Sequence, residues 1–279
     1  MRWRGRRQSS NVEDRRGRPV LRSKRGMSGG ALILMILVGL FFGEDAQKVL
    51  SLFVGTQDQY ESAPRVAQSQ NDEAAQFVST ILAETEDTWN AIFEQSGQRY
   101  QPPKLVLYEG QVSSACGLNS AASGPFYCPG DYQIYIDLSF LSDLKQMGAS
   151  GDFAFAYVIA HEVGHHIQNI VGIAKDVRQQ QSRASKVQAN ALSVKMELQA
   201  DCFAGIWVNH TEKRHAILEA GDIDEGIRAA EAVGDDTIMR RAGRAPRREN
   251  FTHGSSQERI QWFQKGMKTG SIQACQTFS

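Results

Sequence analysis

The chain has 279 residues, 41% hydrophobic and 22% charged, an ordinary globular composition that excludes a disordered or fibrous protein and allows one large or two small domains. Its net charge of zero hides an asymmetry: residues 1–26 carry ten Arg or Lys against Glu13 and Asp14, and the rest carries 21 basic and 29 acidic side chains. The acidic body lacks interleaved basic and aromatic residues, which argues against nucleic-acid binding, and the split implies two different environments for the two parts.

The basic head (1–26) runs into MSGGALILMILVGLFFG, uncharged from Met27 to Gly43. A basic flank followed by an apolar run is the order of an export signal or signal anchor. The following FFGEDAQ offers no small-x-small cleavage pair, so an uncleaved transmembrane anchor over 27–43 is expected, ahead of a cleaved signal or a buried core helix. About 15 to 17 helical residues span roughly 22 to 26 Å, short of the ~30 Å hydrocarbon core, and Lys24 and Arg25 can snorkel across part of the gap. The positive-inside rule then makes 1–26 a cytoplasmic tail and places the body of this single-pass membrane protein in the periplasm or outside the cell. Residues 44–70 are polar, with Gly55 and Pro64, and read as a linker to a domain spanning 71–279.

That domain opens with a helix over 71–97, where Phe77, Ile81, Trp89 and Ile92 approach helical spacing between a cap at Asn71 or Asp72 and a stop at Gly97. KLVLYEG, after Pro102 and Pro103, and YQIYID read as short strands. Between them Cys116 and Cys128 bracket a loop of small residues, CGLNSAASGPFYC. Closing it with a disulfide would contribute about 3 kcal/mol in the chain-entropy account, and an exported domain is where that bond would persist. Two free thiols are the alternative, and spacing leaves a bond between Cys202 and Cys275 open. From Gly151 the pattern is helical nearly to the end, so the fold class expected is α+β: a small antiparallel sheet packed on a mainly helical body.

The chemistry concentrates in AYVIAHEVGHHIQNIVG. Ile159, Val163, Ile167 and Ile170 form an apolar stripe, while His161 and His165, four residues apart, stack on another face and can reach one ion. Glu162, rotated about 100° from His161, can reach a water on that ion and serve as base, the logic of H-E-x-x-H. Gly164 costs the helix about 1 kcal/mol relative to Ala and admits close approach of another element. His166 falls outside the pair and reads as a supporting or core residue.

An open site needs a third ligand. The metzincin extension fails, because Gln168 and Val171 stand where it requires Gly and His. In SVKMELQADCFAGIWVNH, Glu197 and Asp201 share one face of a second amphipathic helix. Glu197 would complete the site, and Asp201 would accept the free ring N–H of a ligating histidine. A solvated acidic face is the alternative, with His210 and His215 as other third ligands.

HEVGHH, ELQADCFAG, CGLNSAASGPFYCPGDYQIYIDLSFL and the N-terminal NVEDRRG together resemble the bacterial neutral zinc metallopeptidases, over nearly the whole chain. The resemblance implies a zincin-like, gluzincin-type domain with one zinc on His161, His165 and Glu197, Glu162 as base and Asp201 behind the metal. The function expected is a membrane-anchored zinc endopeptidase acting on protein or peptide; the alternative is a zinc-containing binding or scaffold protein without turnover. His253, in the loop before a capping box at Ser255 and Glu258, is the first candidate for an oxyanion donor, with Arg259 the second. YQIYID could offer an edge to an extended peptide, with the bridged loop bordering the cleft, or its tyrosines are ordinary sheet residues. Oligomeric state and natural substrate are not legible.

Overall fold

The computed structural model describes residues 1–17 and 72–278. The expected anchor at 27–43 and linker at 44–70 therefore lie outside the described residues, among which no helix is long and apolar enough to cross a membrane.

Over residues 1–17 the basic head is not a tail but part of the folded body. Strand β1 (Val12–Asp14) joins the main sheet, and Trp3, 6% exposed, sets its ring edge against Phe77 at 5.2 Å. Helix α1 (Glu73–Gln95) forms much as its apolar spacing predicts, with the Asp72 side chain accepting the N–H groups of Ala74 and Ala75 and Gly97 in the left-handed region after its end. It also buries Glu84 and Glu86, and there the head's arginines land. Arg6 pairs with Glu84 at 3.4 Å, Arg7 with Glu86 at 3.0 Å and with Asp87 at 2.7 Å. Ser9 and Asn11 also donate to Glu86, and Arg16 reaches Asp72 at 2.5 Å. Over these residues the basic head and the acidic body are complementary in charge. The amino group of Met1 sits among Asp152, Glu219 and Asp222 at 3.0 to 3.3 Å.

The sheet is built from β1, β2 (Lys104–Tyr108), β5 (Phe126–Cys128) and β6 (Gln133–Asp137), with a separate hairpin of β3 (Gln111–Ser114) and β4 (Gly117–Ser120). Its order is β1-β2-β6-β5, and only β5 runs antiparallel to its neighbour. The expected antiparallel sheet is thus mostly parallel. In β2 and β6, Leu105, Val106 and Leu107 and Ile134, Tyr135 and Ile136 are all buried, because both sheet faces are covered, as parallel strands require. The chain passes from β2 to β6 through the β3–β4 hairpin and β5, and the disulfide Cys116–Cys128 closes this excursion. YQIYID is therefore an interior strand. The terminal strand of the sheet on this side is β5.

Short α2 (Phe140–Gln146) leads to α3 (Asp152–Ile170), whose first turn is held by the N–H of Phe153 on Glu225. After α4 (Ile173–Gln181) comes α5 (Lys186–His215), which opens on a capping box of Ser185 and Gln188. Gly164 is where α3 and α5 meet: a Cβ there would lie 3.0 Å from the backbone of Ala200. Then follow α6 (Asp222–Ala232), α7 (Asp235–Arg241) and α8 (Ser256–Thr269), the last with the predicted Ser255–Glu258 capping box. Gly205 and Gly266 let α5 and α8 cross in backbone contact, since a Cβ on Gly266 would strike Cys202 O at 1.9 Å. The second disulfide, Cys202–Cys275, ties α5 to the C-terminal segment. The result is a mixed α and β fold, a helical body with small sheets.

Candidate metal centre

The approach of α3 and α5 at Gly164 brings the two sequence motifs together. His161 Nε2 lies 3.2 Å from Glu197 Oε2, and His165 Nε2 lies 3.4 Å from Glu197 Oε1. One donor atom from each of the three residues falls within 4.8 Å of the others. The spacing argument placed the two imidazoles, and the i, i+4 pair on α5 placed the carboxylate.

Each imidazole is aimed from behind. Asp201 is fully buried and accepts from His161 Nδ1–H at 2.8 Å, so Nε2 is turned toward Glu197. Three further bonds hold Asp201: Tyr157 OH donates at 2.5 Å, and Arg259 clamps both its oxygens through Nε at 2.8 Å and Nη2 at 2.9 Å. His165 is aimed by Gln168, whose Oε1 accepts from Nδ1–H at 2.9 Å while its amide donates to Met196 O and Gln199 Oε1. Gln199 in turn donates to the carbonyl of Cys275, inside the second disulfide. Gln168, read in sequence only as a broken metzincin position, and Tyr157 are the supporting residues that sequence reasoning missed.

Two imidazole Nε2 atoms face one carboxylate, and once their protons leave this donor set suits zinc. The electrostatics agree. Burial opposes charge on His161, but Asp201 and Glu197 outweigh it and push its pKa up to about 9; His165 is also raised, against burial, by Glu197. Burial would raise Glu197 too, yet His165 and His161 hold it well below the usual carboxylate range. The pocket attracts positive charge, whether protons or a dication that displaces them.

Glu162 shares a cleft of about 520 Å³ with this group, and burial raises its pKa above the ordinary value. Gly124, Pro125 and Phe126 of the bridged loop and β5 form part of the cleft wall, with Phe140, Met147 and Ile238 also lining it. A larger hollow of about 800 Å³ elsewhere contains neither Glu162 nor the His161–His165–Glu197 group.

His253 also lines the cleft. Asp235 at the start of α7 holds it: Oδ2 accepts the backbone N–H groups of Thr252, His253 and Gly254 at 2.6 to 3.0 Å, and Oδ1 lies 3.2 Å from the ring Nδ1. That contact with Asp235 raises the His253 pKa. Asp235 was not legible, being eighteen residues from its partner. Arg259 lines the cleft as well, with its Nε and Nη2 engaged on Asp201. His210 bonds Gly270 O and His215 lies 3.7 Å from Glu84, so neither belongs to the group. His166 is a core residue, as read: its Nε2–H donates to Gln101 O at 2.7 Å and Nδ1 accepts from Tyr127 OH at 3.1 Å.

The H-E-x-x-H helix and the carboxylate of α5 thus form a group that could hold a metal ion. Residues 1–278 match the family described as "Putative neutral zinc metallopeptidase", and the chain belongs to that family. It is 46% identical to "Uncharacterized protein YpfJ" of Escherichia coli K12, over 100% of this chain and 99% of that one. It is 38% identical to "Uncharacterized protein Rv2575" of Mycobacterium tuberculosis, over 74% of this chain and 73% of that one. No solved structure matches the chain significantly.

Proposed function

We propose that this protein is a membrane-associated endopeptidase that holds one zinc ion on His161, His165 and Glu197 and hydrolyses peptide bonds with Glu162 as general base. Zinc, when bound, lowers the pKa of a coordinated water toward 7 and polarises the substrate carbonyl. Glu162 takes a proton from the water as its oxygen bonds to the carbonyl carbon. The same carboxyl returns that proton to the amide nitrogen as the C–N bond breaks, so it ends the cycle ionised. His253, steadied by Asp235, donates to the carbonyl oxygen as negative charge gathers there. Asp201 and Gln168 keep both ligating imidazoles in the tautomer with a free Nε2. An extended substrate pairs with the outer edge of β5, beside the cleft, which gives affinity through main-chain groups. Membrane association is assigned to the apolar run 27–43.

The observation that carries this reading is the convergence of His161, His165 and Glu197 with Glu162 in the same cleft. A purely structural zinc site is closed by four protein ligands and needs no adjacent carboxylate. Glu162→Gln should retain zinc and lose cleavage of an unfolded protein substrate by at least about 10²-fold. Undiminished cleavage by that variant would remove Glu162 from the mechanism.

A further inference from the structure

We infer that residues 1–17 are exported together with the body and occupy the same compartment, outside the cytoplasm. This is independent of the zinc chemistry. The order of basic head, apolar run and acidic body leads to the expectation that head and body lie on opposite faces of a bilayer. Four features of the described residues are at odds with that arrangement.

Strand β1 is hydrogen-bonded into the sheet in register, Val12 opposite Leu105 and Asp14 opposite Leu107, with Leu105 N–H on Asn11 O at 2.9 Å and Arg15 N–H on Leu107 O at 2.8 Å. Trp3 is part of the main hydrophobic core, against Phe77. Glu86 is 5% exposed and takes its partners from the head, namely Arg7, Ser9 and Asn11; moving the head across a membrane would leave that buried carboxylate stripped of them. Lastly, the Arg16–Asp72 ion pair brings the point where the chain leaves the body beside the point where it returns. Residues 16 and 72 therefore lie on one side of any bilayer while the head is docked.

Within the described residues, most of the arginines that make the head look like a cytoplasmic retention signal are ion-paired. Arg4, Arg6, Arg7 and Arg16 each pair with an acid of residues 72–278, and Arg15 pairs with Glu13 of the head itself, so over these residues the positive-inside rule has little unpaired charge to act on. The body carries two disulfides, which persist outside the reducing cytoplasm. The head follows the body there.

The test uses the full chain in Escherichia coli, with one thiol introduced at a time. All four native cysteines are disulfide-bonded, so Ser10→Cys on the head and Val187→Cys on α5, both exposed positions, each provide the single free thiol. A membrane-impermeant maleimide is applied to spheroplasts before and after lysis. The expected result is labelling of both variants before lysis. Labelling of residue 187 before lysis but of residue 10 only after it would overturn the inference, and so would labelling of both only after lysis. Should Ser10→Cys fail to fold, hydrogen exchange on the unmodified chain in membranes decides. Protection of the Leu105 and Arg15 amides comparable to that of β6 supports docking of the head, and exchange at the rate of a free peptide overturns it.

Discussion

Asp201 does not line the cleft, yet His161, Tyr157 and the Nε and Nη2 of Arg259 converge on its two oxygens in a fully buried site. Arg259 and His161 hold its pKa down to about 2 although burial works the other way, so it stays ionised and keeps accepting from Nδ1–H. Asp201→Asn preserves the shape but replaces an acceptor by an amide that can donate, which disturbs the His161 tautomer. Zinc affinity should fall about 10- to 100-fold, read by competition with a chelator, while the fold persists by circular dichroism. An unchanged affinity would show that Asp201 does not aim the ligand. At this scale most of the site was legible, because His161 with His165 and Glu197 with Asp201 each obey the i, i+4 rule within one helix. Gln168 and Asp235 were not. Gln168 lies one turn past His165 and looks like any buried amide, and Asp235 meets His253 only through the turn between α7 and α8.

His166 binds elements to one another. It joins α3 to Gln101 before β2 and to Tyr127 of β5, so it fixes the cleft-edge strand against the helix that carries His161 and His165. Burial pushes its pKa down to about 4 from an ordinary 6.5, with the Gln101 bond opposing only in part. The folded state therefore stays unprotonated while the unfolded chain takes up a proton. Stability from this group is fully present above pH 6.5 and is lost as pH falls from there through about 4, by up to about 3 kcal/mol. Thermal melting between pH 7 and 4 should fall more steeply for the parent than for His166→Asn; parallel curves would contradict it. The strand readings show what periodicity misses. KLVLYEG and YQIYID were found as strands, but their parallel pairing and the interior place of YQIYID depend on which partners cover each face. Nothing within a five-residue run encodes that.

For the whole molecule, the largest departure from the sequence reading is the docked head. Charge counted along the chain separated a basic part from an acidic one, whereas folding brings Arg6, Arg7 and Arg16 onto Glu84, Glu86 and Asp72. No local pattern signals a pairing across about seventy residues of chain, and the apolar run between the partners pointed the other way. Trp3 is the most direct probe of docking, being large and 6% exposed. Trp3→Ala should destabilise the protein by about 3 to 5 kcal/mol in chemical denaturation. A change below about 0.5 kcal/mol, normal for a solvated tail, would mean that the head does not pack on the body in solution.

Binding of one zinc ion by two imidazoles and a carboxylate is open to zinc-edge X-ray absorption on the full chain. The expected spectrum has a shell of nitrogen and oxygen at about 2.0 to 2.2 Å containing two imidazoles, falling to one in His165→Ala. A sulfur shell near 2.3 Å, or an imidazole signal untouched by that substitution, would contradict it.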